Sequence, residues 1–156
     1  MAVGVALALL LSAACERATS PAAPDDRDFS AIADAFERWQ AYGLKDYVVE
    51  QKRLCFCGHP PGFVRLTVRD NKVVGGVDIA TTQPVPPQAL QSYQTVDEMF
   101  TWLQGVKARN PVRLAIDYDA RFGYPVRVDV DYSAGLADDE LSIEQRSLER
   151  LIPAGG

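Results

Sequence analysis

The chain has 156 residues, 47% of them hydrophobic, and a formal net charge of −5, enough for one hydrophobic core and too few for two ordinary domains. Its 16 basic and 21 acidic residues are mixed along the sequence without a basic block. That pattern excludes a nucleic-acid interface of the usual electrostatic kind and adsorption to an anionic membrane surface through clustered Lys and Arg.

The first feature in chain order is an unbroken apolar run from Ala2 to Leu11. A helix needs about 20 such residues to cross a bilayer, so this run reads as the core of a signal peptide, followed by the small residues Ser12-Ala13-Ala14 and then Cys15. The segment Leu11-Ser12-Ala13-Ala14-Cys15 resembles a bacterial lipobox, whose cysteine is acylated and becomes the first residue of the mature protein. It departs from that pattern in two ways: Ser12 stands where leucine is usual, and no Lys or Arg precedes the apolar run. The alternative is an ordinary secretory signal cut at Ala14, which leaves Cys15 a free thiol. Residues 16–28 are rich in Pro, Ala and Asp without hydrophobic periodicity, too polar to order themselves. The expected organisation is therefore a signal peptide over 1–14, a lipidated Cys15 with a tether over 15–28, and one domain over 29–152.

Within the domain, Phe29, Ile32, Ala33, Phe36 and Trp39 follow helical spacing, with Asp28 or Ser30 able to cap the start and Gly43 to end it. Three strands are predicted next, Tyr47 to Cys57, Phe63 to Arg69 and Lys72 to Ala80, with Asp70-Asn71 as the turn between the last two. Thr81 to Tyr93 carries Pro84, Pro86 and Pro87 and reads as a loop. Thr95-Val96-Asp97-Glu98 then matches a capping box and opens a second helix with Met99, Phe100, Leu103 and Val106 on one face, stopped by Asn110-Pro111.

Val112, Leu114, Ile116 and Tyr118 alternate with polar residues, as do Val126, Val128, Val130 and Tyr132, so each segment is a strand with one dry face and one wet face. A register that sets Tyr118 opposite Val126 also sets Asp117 opposite Arg127 and Arg113 opposite Asp131, complementary pairs that a shift of two residues would break. Asp139 to Leu151 is read as a last strand, although Leu141, Leu148 and Leu151 also fit a helical face. The expected fold class is thus α+β, a single domain of two helices packed on a mainly antiparallel sheet. The rhythm of one helix and three strands, met twice, suggests an α-β-β-β tandem repeat.

Soft, reactive side chains cluster only in Cys55-Phe56-Cys57-Gly58-His59. On an extended strand Cys55, Cys57 and His59 fall on one side, and two sulfurs with an imidazole suit copper(I), or zinc with a fourth ligand. A second reading is a Cys55–Cys57 disulfide in an oxidising compartment, in a ring tight enough to be easily reduced and therefore suited to thiol–disulfide exchange. The third is that the two cysteines merely fix the strand end before Pro60-Pro61-Gly62. Asp117, Asp119, Asp129 and Asp131 resemble a carboxylate cluster, but Arg113, Arg121 and Arg127 lie among them, and an ion-paired sheet face is the expectation. No nucleophile elbow, P-loop or dinucleotide fingerprint is present in the sequence.

Several of these motifs occur together in an order that resembles a domain-of-unknown-function family, the 6174 type, of small bacterial lipoproteins and secreted proteins. The matching residues are the Tyr47 strand running into Cys55-x-Cys57, the hairpin around Asp70-Asn71-Lys72-Val73, the Thr95 to Phe100 helix start, and Tyr118-Asp119 followed by Phe122-Gly123-Tyr124-Pro125. The resemblance implies an α+β lipoprotein domain at the cell envelope and no established activity. Gly123-Tyr124-Pro125 also resembles strand edges in small protease-inhibitory or peptide-binding envelope domains. The expected function is a non-enzymatic envelope module, anchored in the membrane by lipid on Cys15, that binds a protein or peptide partner through its sheet or its Pro84 to Tyr93 loop. The alternative is a metal-handling or redox protein using Cys55, Cys57 and His59 with copper or zinc.

Overall fold

The computed structural model describes residues 30–54, 62–133, 135 and 140–152. Helix α1 (Ser30–Tyr42) is followed by strands β1 (Tyr47–Leu54), β2 (Val64–Arg69) and β3 (Lys72–Asp78), then by helices α2 (Pro87–Leu90) and α3 (Val96–Ala108), and finally by β4 (Arg113–Tyr118), β5 (Pro125–Asp131) and β6 (Leu141–Arg150). The six strands form one wholly antiparallel sheet in the order β3-β2-β1-β6-β5-β4.

This architecture corrects the expected fold class. In place of an α+β domain of two helices with an α-β-β-β tandem repeat, the described residues form one mostly-sheet domain with three helices. The prolines of residues 81–93 suggested a loop, yet Pro87 occupies the first turn of α2, where a missing N–H costs nothing. The N–H groups of Ala89 and Leu90 both donate to Pro86 O, at 2.9 and 3.1 Å. Nor are the two halves separate units. β6 returns to pair with β1 from Tyr47↔Arg150 to Leu54↔Ser142, so all six strands share one layer and one core.

Local chemistry sets the remaining elements. Ile32, Ala35 and Trp39 form the buried stripe of α1, and Gly43, at φ +55, ends it by donating its N–H to Gln40 O. Asp70 and Asn71 both have positive φ, as a two-residue hairpin turn of matching twist requires. The capping box is formed: Glu98 N–H donates to Thr95 Oγ1 at 3.2 Å, and Thr95 N–H donates to Glu98 Oε2 at 2.8 Å. A third donor at this helix start, Val96 N–H, reaches down to the sheet and donates to Tyr47 Oη at 2.9 Å. Asp97 accepts from Trp39 Nε1 and Gln40 Nε2, which ties α1 to α3.

The helices cover one face of the sheet. Trp39 meets Tyr47 edge-on, Phe36 packs on Phe100, and Phe100 stacks on Tyr118. Leu66, Val68, Leu114, Val128, Val130 and Ile143 complete the core beneath them. Among these apolar groups Gln51 and Gln145 are also buried; Gln145 Nε2 donates to Pro125 O at 2.8 Å and Gln51 Nε2 to Gln94 O at 3.1 Å, so both amides are satisfied.

The β4–β5 register matches the charge pattern, with Arg113↔Asp131 and Asp117↔Arg127, but a bulge places Tyr118 opposite Pro125 rather than Val126. The connection is locked by Asp119, whose Oδ1 accepts from the N–H groups of Arg121 and Phe122. Gly123, at φ +80, then lies against α1, where an added Cβ would run into Ala35 O and stand 2.9 Å from Arg38 Cβ. Gly123→Ala therefore combines left-handed strain with overpacking against backbone. The expected cost is about 2–5 kcal/mol, read as a lower denaturant midpoint at unchanged slope; a midpoint equal to wild type would contradict the close approach.

Candidate functional site

The opposite face of the sheet has no helix over it among the described residues, and β alternation fills it with charge. Cross-strand partners run Lys52↔Glu144, Glu144↔Arg127 and Arg127↔Asp117, a row of alternating sign across β1, β6, β5 and β4. A neighbouring row runs Arg65↔Glu50↔Arg146 across β2, β1 and β6. Opposite charges directly across strands stabilise a sheet modestly and fix its side chains in place.

Glu50 is the centre of this face. Arg65 Nη2 donates to Glu50 Oε1 and Arg146 Nε to Glu50 Oε2, each at 2.8 Å. The Glu50 side chain is only 7% exposed, whereas the two arginines are 59% and 55% exposed. The hydrogen bond from Arg65 holds the Glu50 carboxyl below its ordinary value of 4.5; burial opposes that shift, and Arg146 adds to it. Arg146 also lays its guanidinium 3.8 Å from the centre of the Phe63 ring, and Lys52 Nζ stands 5.7 Å from the same ring. Lys52 in turn pairs with Glu144 at 3.3 Å. One aromatic side chain, just before β2, is thus set among fixed charges on the open face.

Asp119, Asp129 and Asp131 each accept a hydrogen bond within the fold. Asp129 accepts from Arg127 Nε at 2.7 Å, Asp131 Oδ1 accepts from Ser133 N–H, and Asp119 closes its turn. Asp129 is partly desolvated, yet its hydrogen bonds from Ser142 and Arg127 hold its carboxyl below the usual range. Among the described residues no group of three or more His, Cys, Asp or Glu stands where it could hold a metal ion.

Cys15, Cys55, Cys57 and His59 lie outside the described residues. What the fold adds is their context: residues 55–61 connect β1 to β2, between Leu54 and Gly62. Just before that segment, half-buried Arg53 donates from Nη1 to Gln94 Oε1 at 3.3 Å, and burial lowers its pKa, partly offset by Tyr93. In the Pro84 to Tyr93 segment, Val85 N–H donates to Gly76 O on the outer edge of β3, so this stretch serves the sheet as a cover.

Sequence reasoning did not single out Glu50, Phe63, Lys52, Arg65 or Arg146. Their polar phase along each strand is visible, but Glu50 and Arg146 stand 96 positions apart and meet only through the β1–β6 ladder. A family model described as Family of unknown function (DUF6174) matches residues 31–150. No curated protein and no solved structure matches the chain.

The depressed Glu50 pKa gives a signed expectation. An unfolded chain binds a proton at Glu50 more readily than the folded one, so its contribution is present above pH 4.5 and is lost as pH falls through the lower folded value. At neutral pH Glu50→Gln should cost about 1 kcal/mol, since both arginines are well exposed to screening solvent. The gap between wild type and variant should narrow on acidification in urea melts; a gap that widens in acid would refute the ion-paired geometry.

Proposed function

We propose that this chain, which belongs to the family of unknown function DUF6174, is an exported binding protein, held at the cell envelope by lipid on Cys15, that presents the open face of its sheet to a protein or peptide partner. The observation that carries the binding part is the set of fixed charges around Phe63. A surface whose side chains are already held by ion pairs loses little conformational entropy when a partner docks, and an aromatic ring flanked by arginine is the kind of anchor that dominates interface energies. The anchor and export parts rest on the apolar run, the small residues before Cys15 and the polar stretch over 16–28. Such a tether lets a folded domain stand off the membrane that holds it.

A second reading is favoured by one sequence feature, the spacing of Cys55, Cys57 and His59. It makes the β1–β2 connection a site for copper(I) or zinc, or a reducible disulfide. Intact-mass analysis of the native protein, before and after alkylation with and without reductant, separates these states. Bound metal or a disulfide that disappears in Cys55→Ser and Cys57→Ser supports this reading, and two free thiols without metal remove it.

For the lead reading, photo-crosslinking residues introduced at Thr67 and Arg127 on the open face should give discrete adducts in intact cells. The same residue at Gln104 on α3 should give none, and Arg146→Ala should abolish the Thr67 adducts. Equal adducts from Gln104 would overturn the assignment of the face. A fatty-acid label incorporated by wild type and lost in Cys15→Ser is the matching test of the anchor; incorporation that survives the substitution overturns it.

A further inference from the structure

The two edges of the sheet are treated differently. The outer edge of β3 is covered, because Val85 N–H donates to Gly76 O and Asp78 N–H donates to Gln83 O, with a bridge between Val77 and Pro84. At the other edge, no described backbone pairs with the outer side of β4. β4 runs six residues, Arg113-Leu114-Ala115-Ile116-Asp117-Tyr118, with no proline, lysine or inward charge within it; its charges Arg113 and Asp117 are of opposite sign, and its one bulge lies at the Asp117/Tyr118 end. Such an edge offers a row of backbone donors and acceptors to another strand.

We infer that this edge pairs with the same edge of a second copy of the chain, antiparallel and centred on Ala115. In that register Arg113 faces the partner copy's Asp117, Leu114 faces Ile116, and the two-fold axis repeats both pairs. The polar face then stays complementary across the junction. Within one copy the row already reads Lys52, Glu144, Arg127, Asp117 with alternating sign. The second copy's Arg113 and its partner Asp131 extend the alternation by two further charges. On the dry side, Ile116 is only half-buried although Leu114 beside it is fully buried, and the partner's Leu114 would cover it. Shifting the register by two residues either way sets a charge of each pair opposite Ala115. Shifting by one turns the dry side of one strand onto the wet side of the other. The sequence of β4 is therefore self-complementary in one register alone, and the product is a continuous twelve-stranded sheet with an isologous interface.

Sedimentation of the full chain over a range of concentrations tests this directly. A monomer–dimer equilibrium is expected. Arg113→Asp or Asp117→Arg alone sets like charges opposite each other twice per dimer and should weaken association about tenfold; the double variant Arg113→Asp/Asp117→Arg restores the pairing between copies and should recover most of it. A chain that is monomeric throughout, or a dimer indifferent to both single reversals, overturns the inference. Because each reversal also disturbs Asp131 or Arg127 within its own copy, Ala115→Cys provides a second measurement that leaves the charges alone. In a background with Cys15, Cys55 and Cys57 replaced by serine, mild oxidation should give a reducible species of twice the mass that the parent does not give, and failure to crosslink counts against the two-fold centre at Ala115.

Discussion

β1 and β6, the first and last of the described strands, run side by side through seven paired positions, and the two three-stranded halves share a sheet only through them. Remove that ladder and two short three-stranded meanders remain, each too small to bury its apolar face alone. With it in place, α1 and α3 lie on one continuous surface, Gln51 meets Gln145 beneath α3, and Glu50 comes between Arg65 and Arg146 on the other side. The core and the candidate binding face are opposite sides of the same pairing.

The buried polar groups follow from this geometry. A sheet made of two meanders needs a means of setting where the helices sit, and apolar packing alone tolerates sliding. Tyr47 Oη receives the N–H of Val96, Gln51 receives that of Gln94 at 3.4 Å while donating to its carbonyl, and Gln145 donates to Met99 Sδ on α3 as well as to Pro125 O. These directional contacts fix the start of α3 over β1 and β6. Burial pushes the Tyr47 phenol far above its ordinary range, with the carboxylates of Asp97 and Glu98 adding to the effect, so it remains a neutral hydroxyl there.

Much of the local structure was legible in the sequence because its causes lie within a few residues. Thr95 and Glu98 cap each other, Asp70-Asn71 supplies the turn, and the charges of β4 and β5 select their own register. One feature was hidden, and the last strand, although expected, also fitted a helical face, each for an identifiable reason. The helical turn of α2 sits among prolines, which signal a loop until one of them is placed at a helix start. In β6, Ser147 has a positive φ of +54 where the pairing with β1 slips its register. The slip moves Leu148 onto the core side after Ile143 and Gln145, so a bulged strand imitates helical spacing. The centre of the open face was out of reach for a related reason: a side chain's partner 96 positions away leaves no trace in any local pattern. Cys15, Cys55, Cys57 and His59 keep the standing the sequence gives them, since they lie outside the described residues.

The place of β6 has a consequence in time. Strands made early, β1, β2 and β3, can form their hairpins while the chain is still emerging, but β1 waits for a neighbour that is synthesised last. Pairings of such long sequence separation are slow to form, since the loop entropy is lost before any contact is gained. Until Leu141–Arg150 has left the ribosome, no arrangement of the preceding residues completes the core. Through that interval the edge of β1 stands without its neighbour, and an unpaired strand edge is where a half-made chain is most open to wrong partners.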